Sequence, residues 1–452
     1  MADSLAESRG GVERSAISRK YGPPGRGVER ESPRGSWEGC PATTRGFCVS
    51  ILFAADSMKP ILYSVLPRPA HPTRDGLAIR NYYLLAGLAE EFRVRAAVLA
   101  APHLRGSGEY PQGVEVEELR QSGRRARQAA ALSRSVFSRE AYPALLYRSR
   151  ELLATLSRWT ARERPAWIVA HSYHVAPAAL SAAAPAWVDF HNVDSEIWRR
   201  MGERAAGPLR TFLRWQAPRV ARLEQDILRR AAGASCVSER DARAFSSNGG
   251  EPPIVVSNGV DLTRYVFRPE PSSEELVFYV GDLTWPPNLE GIRWFLSEVW
   301  PILSGQRPRA RVEVLGRGEG PLRALARHGP PGLSFLGEGA DTRPLWRRAA
   351  VAIVPLLTGG GTRLKILEAA ACGVPVVATP VGAEGLDFAA GREIAVASEA
   401  PDFAAAIARL LAEPGARRVQ AAAARRRVEA QYGWEAIGRR FAGMLRQRSG
   451  GA

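Results

Sequence analysis

Cysteine is scarce in this chain. Four residues in 452, Cys40, Cys48, Cys236 and Cys372, show no Cys-X-X-Cys spacing and no even framework. That argues against a disulfide scaffold or a structural zinc and for a reducing compartment. Long apolar runs are missing as well: none approaches the roughly 18 residues that a membrane-spanning helix needs. The nearest thing to a signal core, Cys48 to Ala55, is short and begins almost fifty residues in, the wrong place for one. No Gly-X-Ser-X-Gly elbow suggests a nucleophile triad, and no His-Glu-X-X-His or clustered His/Cys set suggests a metal. Lysine is almost absent; Lys20, Lys59 and Lys365 are the only ones, so nearly all 62 basic residues are arginine.

Those arginines are unevenly placed. The net charge is +16, and residues 58–272 hold 31 basic against 21 acidic residues, most of the excess. Positive potential of this kind suits a polyanion, a phosphorylated acceptor or an anionic membrane surface, with a solvated arginine-rich face as the plain alternative. The stretch Arg120 to Arg150 mixes arginine with Phe137, Tyr142 and Tyr147. It fits an amphipathic helix pair at a membrane or acceptor groove better than a nucleic-acid surface.

Residues 1–57 are rich in Gly, Pro, Ser, Arg and Glu without periodicity, and are expected to be a disordered tail. A second reading is that translation starts at Met58, immediately before the first strand. From there short apolar runs at Ile61 to Leu66, Val94 to Leu99, Trp167 to Ala170, Ala186 to Phe190, Ala234 to Val237 and Ile254 to Val256 alternate with helical stretches. This is the pattern of a parallel α/β domain. A second series follows at Leu276 to Val280, Val312 to Leu315, Leu333 to Leu336, Val351 to Val354 and Val374 to Ala378, after a Pro-, Ser- and Glu-rich linker, Arg268 to Glu275. The expected organisation is a first α/β domain over residues 58–272, a second over 273–429, and a terminal helix and tail over 430–452.

The sharpest local signal is Gly359-Gly-Gly-Thr-Arg-Leu-Lys-Ile-Leu-Glu368, which follows the strand Val351 to Val354 and opens a helix with the stripe Leu364, Leu367 and Ala371. A glycine loop entering a helix offers bare backbone N–H groups to an anion. Arg363 and Lys365 are expected in the first helical turn, where the dipole disfavours cations by roughly 0.3–1 kcal/mol each. Such a pair makes sense beside an anion. Glu368 shares the face of Lys365 and is placed to accept from sugar hydroxyls. A glycine turn with a surface Arg and Lys is the structural alternative.

Here the sequence resembles the family 4 retaining glycosyltransferases of the GT-B fold, over about Ile61 to Arg446. Ala371-Cys-Gly-Val-Pro-Val-Val-Ala378 looks like the stretch that follows that family's paired glutamates. Glu368 matches the second glutamate, which the resemblance implies binds the ribose. The first position is Gly360, so the chain looks like the subgroup carrying Gly-Gly-Gly-Thr-Arg-Leu-Lys-Ile-Leu-Glu-Ala, residues 359–369, and the amides of Gly361 and Thr362 could replace the missing carboxylate. Gly281-Asp282-Leu283 departs from relatives that supply an arginine and a lysine to the diphosphate, leaving that role to Arg363 and Lys365. Asp189-Phe-His-Asn-Val-Asp-Ser195 resembles the block whose histidine reaches the donor sugar, here His191, and Asp75-Gly76 the mobile loop near donor and acceptor. Val237 to Asp241 and Ser257 to Asp261 resemble further blocks of the first domain, with Asn258-Gly259 a turn signal. His171 and His174 are taken as structural.

The resemblance implies an α/β, GT-B fold: two Rossmann-like domains, an inter-domain cleft and a C-terminal helix crossing back to the first domain. It implies transfer of a glycosyl group with retention from a nucleotide-diphosphate-sugar, a UDP-sugar favoured, with no cofactor and no metal. The acceptor would be a carbohydrate or lipid-linked molecule in cell-envelope or exopolysaccharide assembly, with no nucleic-acid partner. The expected location is cytoplasmic, peripheral at the inner face of the membrane. A nucleotide-sugar epimerase, or a non-catalytic nucleotide-sugar-binding protein, would share this architecture.

Overall fold

The computed structural model describes residues 59–450, apart from 72–74, 102–108, 122, 248–250, 324–326, 328 and 340. The expected tail, residues 1–57, lies outside the described residues.

The first sheet is built from β1 (Ile61–Leu66), β2 (Arg93–Ala100), β3 (Val114–Arg120), β4 (Trp167–Ala170), β5 (Ala186–Asp189), β6 (Gly233–Cys236) and β7 (Ile254–Val255). Its strands are all parallel, in the order β3-β2-β1-β4-β5-β6-β7. β1 shows why the runs are continuous rather than alternating. Tyr63 and Val65 enter one apolar cluster, Leu62 and Leu66 another, so both faces of the sheet are covered. The second sheet, β8 (Leu276–Val280), β9 (Arg311–Leu315), β10 (Leu333–Gly337), β11 (Val351–Val354), β12 (Val376–Ala378) and β13 (Ala395–Val396), is also parallel, in the order β10-β9-β8-β11-β12-β13. There Val277 and Tyr279 face one cluster and Phe278 the other.

Two strands differ from the expected set. β3 reads Val-Glu-Val-Glu-Glu-Leu-Arg, an edge strand whose charges leave no apolar run, and β13 is only two residues long. The helices that place the site are α1 (Gly76–Glu91), α2 (Arg124–Phe137), α3 (Tyr142–Leu146), α4 (Arg150–Arg162), α5 (Asp194–Arg204), α6 (Gly207–Arg230), α7 (Glu239–Ser246), α8 (Pro286–Trp294), α9 (Leu364–Cys372), α10 (Ala400–Ala412), α11 (Pro414–Gln431) and α12 (Trp434–Ser449). The arginine-rich stretch thus holds the end of β3 and two helices, α2 and α3, before α4 begins at Arg150.

Helix α12 follows the second sheet but packs on the first. Trp434, Ile437, Phe441 and Leu445 recur every three or four residues, one face of a helix. They join Leu84, Leu85, Leu88, Trp167 and Trp187 in one core cluster. Each such side chain contributes about 1.5–3 kcal/mol on burial. Trp434 stacks on Tyr83 with centroids 5.3 Å apart, and Trp167 Nε1 donates to Leu445 O at 2.9 Å. The two helices approach through Gly87 and Gly438: a Cβ on Gly87 would lie 2.4 Å from Gly438 C, whereas one on Gly438 would meet its nearest atoms at 3.2 Å.

Gly87→Ala should therefore push α12 off α1 and cost about 1–3 kcal/mol, the range for overpacking a core. Gly438→Ala should cost less. Thermal melts of the two variants check this, and equal melting temperatures would contradict the contact.

Candidate functional site

Both sheets reverse their strand order, the first between β1 and β4 and the second between β8 and β11. Open parallel sheets bind ligands outside the carboxyl ends of the strands at such points. The segments that leave the carboxyl ends of β1, β5, β8 and β11 begin at Pro67, Phe190, Gly281 and Pro355, and the expected site residues lie on them or just beyond.

The three glycines have a packing reason. Gly361 has φ +68°, and a Cβ there would lie 2.3 Å from the Asn192 side-chain amide and 2.8 Å from His191 O; one on Gly360 would lie 2.9 Å from Ile197 Cγ1. The loop therefore closes directly on the first-sheet segment 191–197. Arg200 Nη1 donates to Gly359 O at 2.8 Å, and Asn258 Nδ2 donates to Thr362 Oγ1 at 2.6 Å.

Arg363 is corrected from its expected place. Helix α9 begins at Leu364, so Arg363 is its N-cap residue and not part of the first turn. Its guanidinium turns back under the loop and donates to the carbonyls of Gly360, Gly361 (3.2 Å) and Val381 (3.4 Å). Only 9% exposed, it is lowered by burial to about 10 and remains a cation at neutral pH.

Lys365 is different. Its Nζ is shielded from solvent and has no hydrogen-bond partner, and it sits 4.3 Å from the centroid of the Tyr279 ring. The Tyr279 hydroxyl, near the end of β8, is equally unpartnered. Between them lies Gly281, where a Cβ would be 2.7 Å from Tyr279 Oη, 2.8 Å from Lys365 Nζ and 3.2 Å from Asn288 Nδ2. Three potential donors thus close in on the bare backbone of Gly281, beside the N-terminus of α9. Burial, and then the charge of Arg363, pull Lys365 down to about 7. The first residue of α1, Gly76, also approaches here: its Cβ would stand 3.4 Å from Leu364 Cδ1. Two helix N-termini converge on one region, the arrangement that favours an anion. Asp75 caps α1, accepting from Ala78 N at 3.1 Å.

Glu368 lies one turn beyond Lys365. Trp346 Nε1 donates to its Oε2 at 3.3 Å, Tyr265 adjoins it, and burial raises its pKa. His191 follows β5, with Nε2 3.2 Å from Asp189 Oδ2 but not aligned for a hydrogen bond. Burial lowers its pKa, so the imidazole is neutral at pH 7. His171 Nε2 pairs with Ser64 Oγ at 3.2 Å, and His174 Nδ1 with Ser172 Oγ at 2.6 Å. Gly316 and Arg317 border the 281–284 loop, Arg317 pairing with Asp282.

The structure thus gathers His191, Gly360, Gly361 and Thr362 at one contact and sets Lys365 and Glu368 along the adjoining helix. Sequence reasoning missed Tyr279, Asn288 and Arg80, and took Asn258 for a turn residue. Arg80 had a signal, as the only cation in a helix that is apolar over most of its length. Among the described residues no group of three or more His, Cys, Asp or Glu could hold a metal ion, and no helix is long and apolar enough to cross a membrane.

Comparison with known proteins agrees with this architecture. Residues 74–264 match the family model described as Glycosyltransferase Family 4, and residues 274–413 the one described as Glycosyl transferases group 1. A GDP-mannose-dependent monoacylated alpha-(1-6)-phosphatidylinositol monomannoside mannosyltransferase of Corynebacterium glutamicum is 32% identical over 161 residues, 33% of this chain and 42% of the relative. An uncharacterized 44.6 kDa protein in the cps region of Klebsiella pneumoniae is 26% identical over 135 residues, 28% of this chain and 35% of the relative. The chain therefore spans less than half the length of these curated relatives. Among solved structures, sucrose-phosphate synthase from Thermosynechococcus elongatus superposes with TM-score 0.66 at 19% identity, covering 87% of this chain and 100% of that one. Anabaena HepE in complex with UDP-glucose gives 0.62 at 16% (86% and 100%), and WaaG, a glycosyltransferase involved in lipopolysaccharide biosynthesis, 0.63 at 13% (85% and 99%). The fold is GT-B, and the two glycosyltransferase family matches follow one another along the chain.

The depressed Lys365 has a sign that can be checked. Between about 7 and the ordinary 10.5 the unfolded chain binds more protons at this site than the folded one, so its contribution to stability rises with pH across that window. Lys365→Met should melt above the wild type at pH 7, and the gap should narrow as pH approaches 10.5. A gap that stays constant over that range would mean that no cation is buried there.

Proposed function

We propose that this chain is a retaining glycosyltransferase of family 4 that moves a sugar from a nucleotide-diphosphate-sugar to a carbohydrate or lipid-linked acceptor. The observation that carries the reading is the unpartnered Lys365 Nζ beside the unpartnered Tyr279 hydroxyl, around the side-chain-less Gly281, at the N-terminus of α9. A buried cation without a counter-ion costs free energy. A diphosphate held beside these groups would supply the missing charge. In this reading the second domain holds the nucleotide-sugar and the first takes the acceptor. As the bond from the sugar to the diphosphate breaks, negative charge gathers on the leaving group, where Lys365, the Tyr279 hydroxyl and the helix N-terminus stabilise it. Arg363 acts there indirectly, holding the loop carbonyls inward. Glu368 accepts from the ribose hydroxyls, the amides of Gly361 and Thr362 face the sugar, and His191 reaches it from the first domain. Neither a cofactor nor a metal is part of the proposal.

A UDP-sugar is the favoured donor; the corynebacterial mannosyltransferase, named as GDP-mannose-dependent, makes GDP-mannose the comparator. Thermal stabilisation by a panel of nucleotide-sugars selects the donor, and transfer is then followed by mass spectrometry of the acceptor. Lys365→Met should lower turnover on the order of 100-fold or more, as loss of an oxyanion donor does. Glu368→Ala should weaken nucleotide and nucleotide-sugar binding by the same factor, since ribose contacts are made equally in ground and transition states. Donor binding with no transfer to any acceptor would point instead to an epimerase or a binding protein.

The proposal places the protein at the cytoplasmic face of the membrane, in envelope or exopolysaccharide assembly. What supports this is α2, which leaves Leu132, Val136 and Phe137 exposed, Phe137 by 89%, next to the exposed Arg134 and Arg139. An apolar tip flanked by cations suits an anionic lipid surface. Binding to vesicles containing phosphatidylglycerol should weaken with salt and fall in the doubly substituted Val136→Ser, Phe137→Ser protein without a change in melting temperature. Equal binding to neutral and anionic vesicles at low salt would sink the membrane proposal.

A further inference from the structure

Arg80, the fifth residue of α1, is 1% exposed, and every nitrogen of its guanidinium donates a hydrogen bond. Nε donates to Asp189 Oδ2 at 2.8 Å and Nη2 to Asp189 Oδ1 at 2.7 Å, a two-pronged pair. Nη1 points the other way and donates to Ser257 O and to Asn258 Oδ1, both at 3.1 Å. Each arm then leads on. Asp189, completely buried, also accepts from Ser235 Oγ at 2.7 Å and leaves Oδ2 3.2 Å from His191 Nε2. Asn258 uses its remaining end, Nδ2, to donate to Thr362 Oγ1 at 2.6 Å. One guanidinium therefore fixes the group beside His191 and, through a single amide, the hydroxyl on the glycine loop.

Burying such a pair brings little net stability, because the desolvation of both ions offsets most of their attraction, and apolar residues of similar volume often do as well. A purely architectural role also needs no arm reaching toward the loop. We propose that Arg80 is a positioning residue for the transfer, fixing the Asp189 carboxylate that faces His191 and, through Asn258 and Thr362, the donor loop in one relation. The side chain touches neither donor nor acceptor. It sets the distance between two groups that belong to different domains, and small errors in such distances are costly to catalysis. Consistent with this, burial pushes the Asp189 carboxyl up, but the charge and hydrogen bonds of Arg80 outweigh it and hold the group ionised.

The turnover readout rests on the glycosyl-transfer reading; a spectroscopic one does not. In 15N-labelled protein at pH 7, His191, assigned with His191→Gln, should show a neutral imidazole with its proton on Nε2, facing Asp189. Arg80→Lys keeps a charge but cannot span both arms. It should shift the His191 ring signals toward the other tautomer or the charged form and lower turnover roughly 10- to 100-fold with donor KM little changed. Thr362→Val removes the far end of the chain; combined with Arg80→Lys, its loss in turnover should be less than multiplicative, because both cut one path. If Arg80→Lys fails to fold, Asn258→Ala cuts only the loop arm. It should lower turnover on the same scale with the melting temperature held. Unchanged His191 signals in folded Arg80→Lys, intact turnover in Asn258→Ala, or fully multiplicative losses would each overturn the proposal. If the wild type transfers nothing, the His191 signals still decide the Asp189 arm.

Discussion

The loop between β11 and α9 must pass so close to the backbone of the first domain that only residues without side chains fit. Gly361 meets the carbonyl of His191 and the Asn192 side chain at distances no Cβ tolerates, and Gly360 meets the end of the Ile197 side chain at 2.9 Å. Most of the site follows from that constraint. A loop pressed against another backbone must have its own carbonyls satisfied from within or beside it, and arginine, with five donors in a fixed fork, can do this for several at once. Arg363 takes two from below with Val381 O as a third, and Arg200 takes Gly359 O while also binding Glu384. Once Arg363 is spent in this way, Lys365 is the cation left without a hydrogen-bond partner beside Gly281.

The site is therefore charged in a way the protein alone does not balance. Two helix N-termini and a shielded ammonium approach one another, yet the nearest carboxylate on α9, Glu368, is engaged with Trp346 and Tyr265. Pre-organised donors of this kind need no rearrangement when charge develops beside them, and their cost falls on the unliganded state. The inter-domain pairs Arg200–Glu384, Arg240–Glu384 and Arg204–Glu290 lie on the rim of the same contact. As partly exposed pairs each contributes at most about 1 kcal/mol, enough together to bias the domains toward each other without locking them.

Much of the fold was legible because a parallel sheet covered on both faces writes itself as continuous apolar runs, and the ends of β1, β4, β8 and β11 fell where those runs stop. β3 was not, since an edge strand with alternating glutamates has no such run, and β13 is too short to carry a signal. The glycine segment stood out for its spacing, but spacing does not say whether a glycine makes room for a ligand or for another backbone. Here Gly361 makes room for the His191 backbone and Gly360 for the Ile197 side chain. Lys365 drew attention as an isolated lysine, and the structure leaves its Nζ buried without a hydrogen-bond partner. What stayed hidden was pairwise and long-range: Arg80 meets Asp189 across 109 residues, and Asn258 meets Thr362 across 104. Nothing in a local pattern records such partners.

Helix α12 supplies part of the apolar cover of the first sheet, and it lies at the far end of the chain from that sheet. On the ribosome the first sheet emerges early. Its face around Leu84, Leu88, Trp167 and Trp187 stays open until Ile437, Phe441 and Leu445 have been made. Chains usually fold domain by domain from the N-terminus during synthesis, but here the domain made first is completed last. For the interval in which the second sheet is being made, the nascent chain carries a bare apolar surface. That surface is the natural binding point for a chaperone and the place where premature termination would leave a sticky, aggregation-prone fragment.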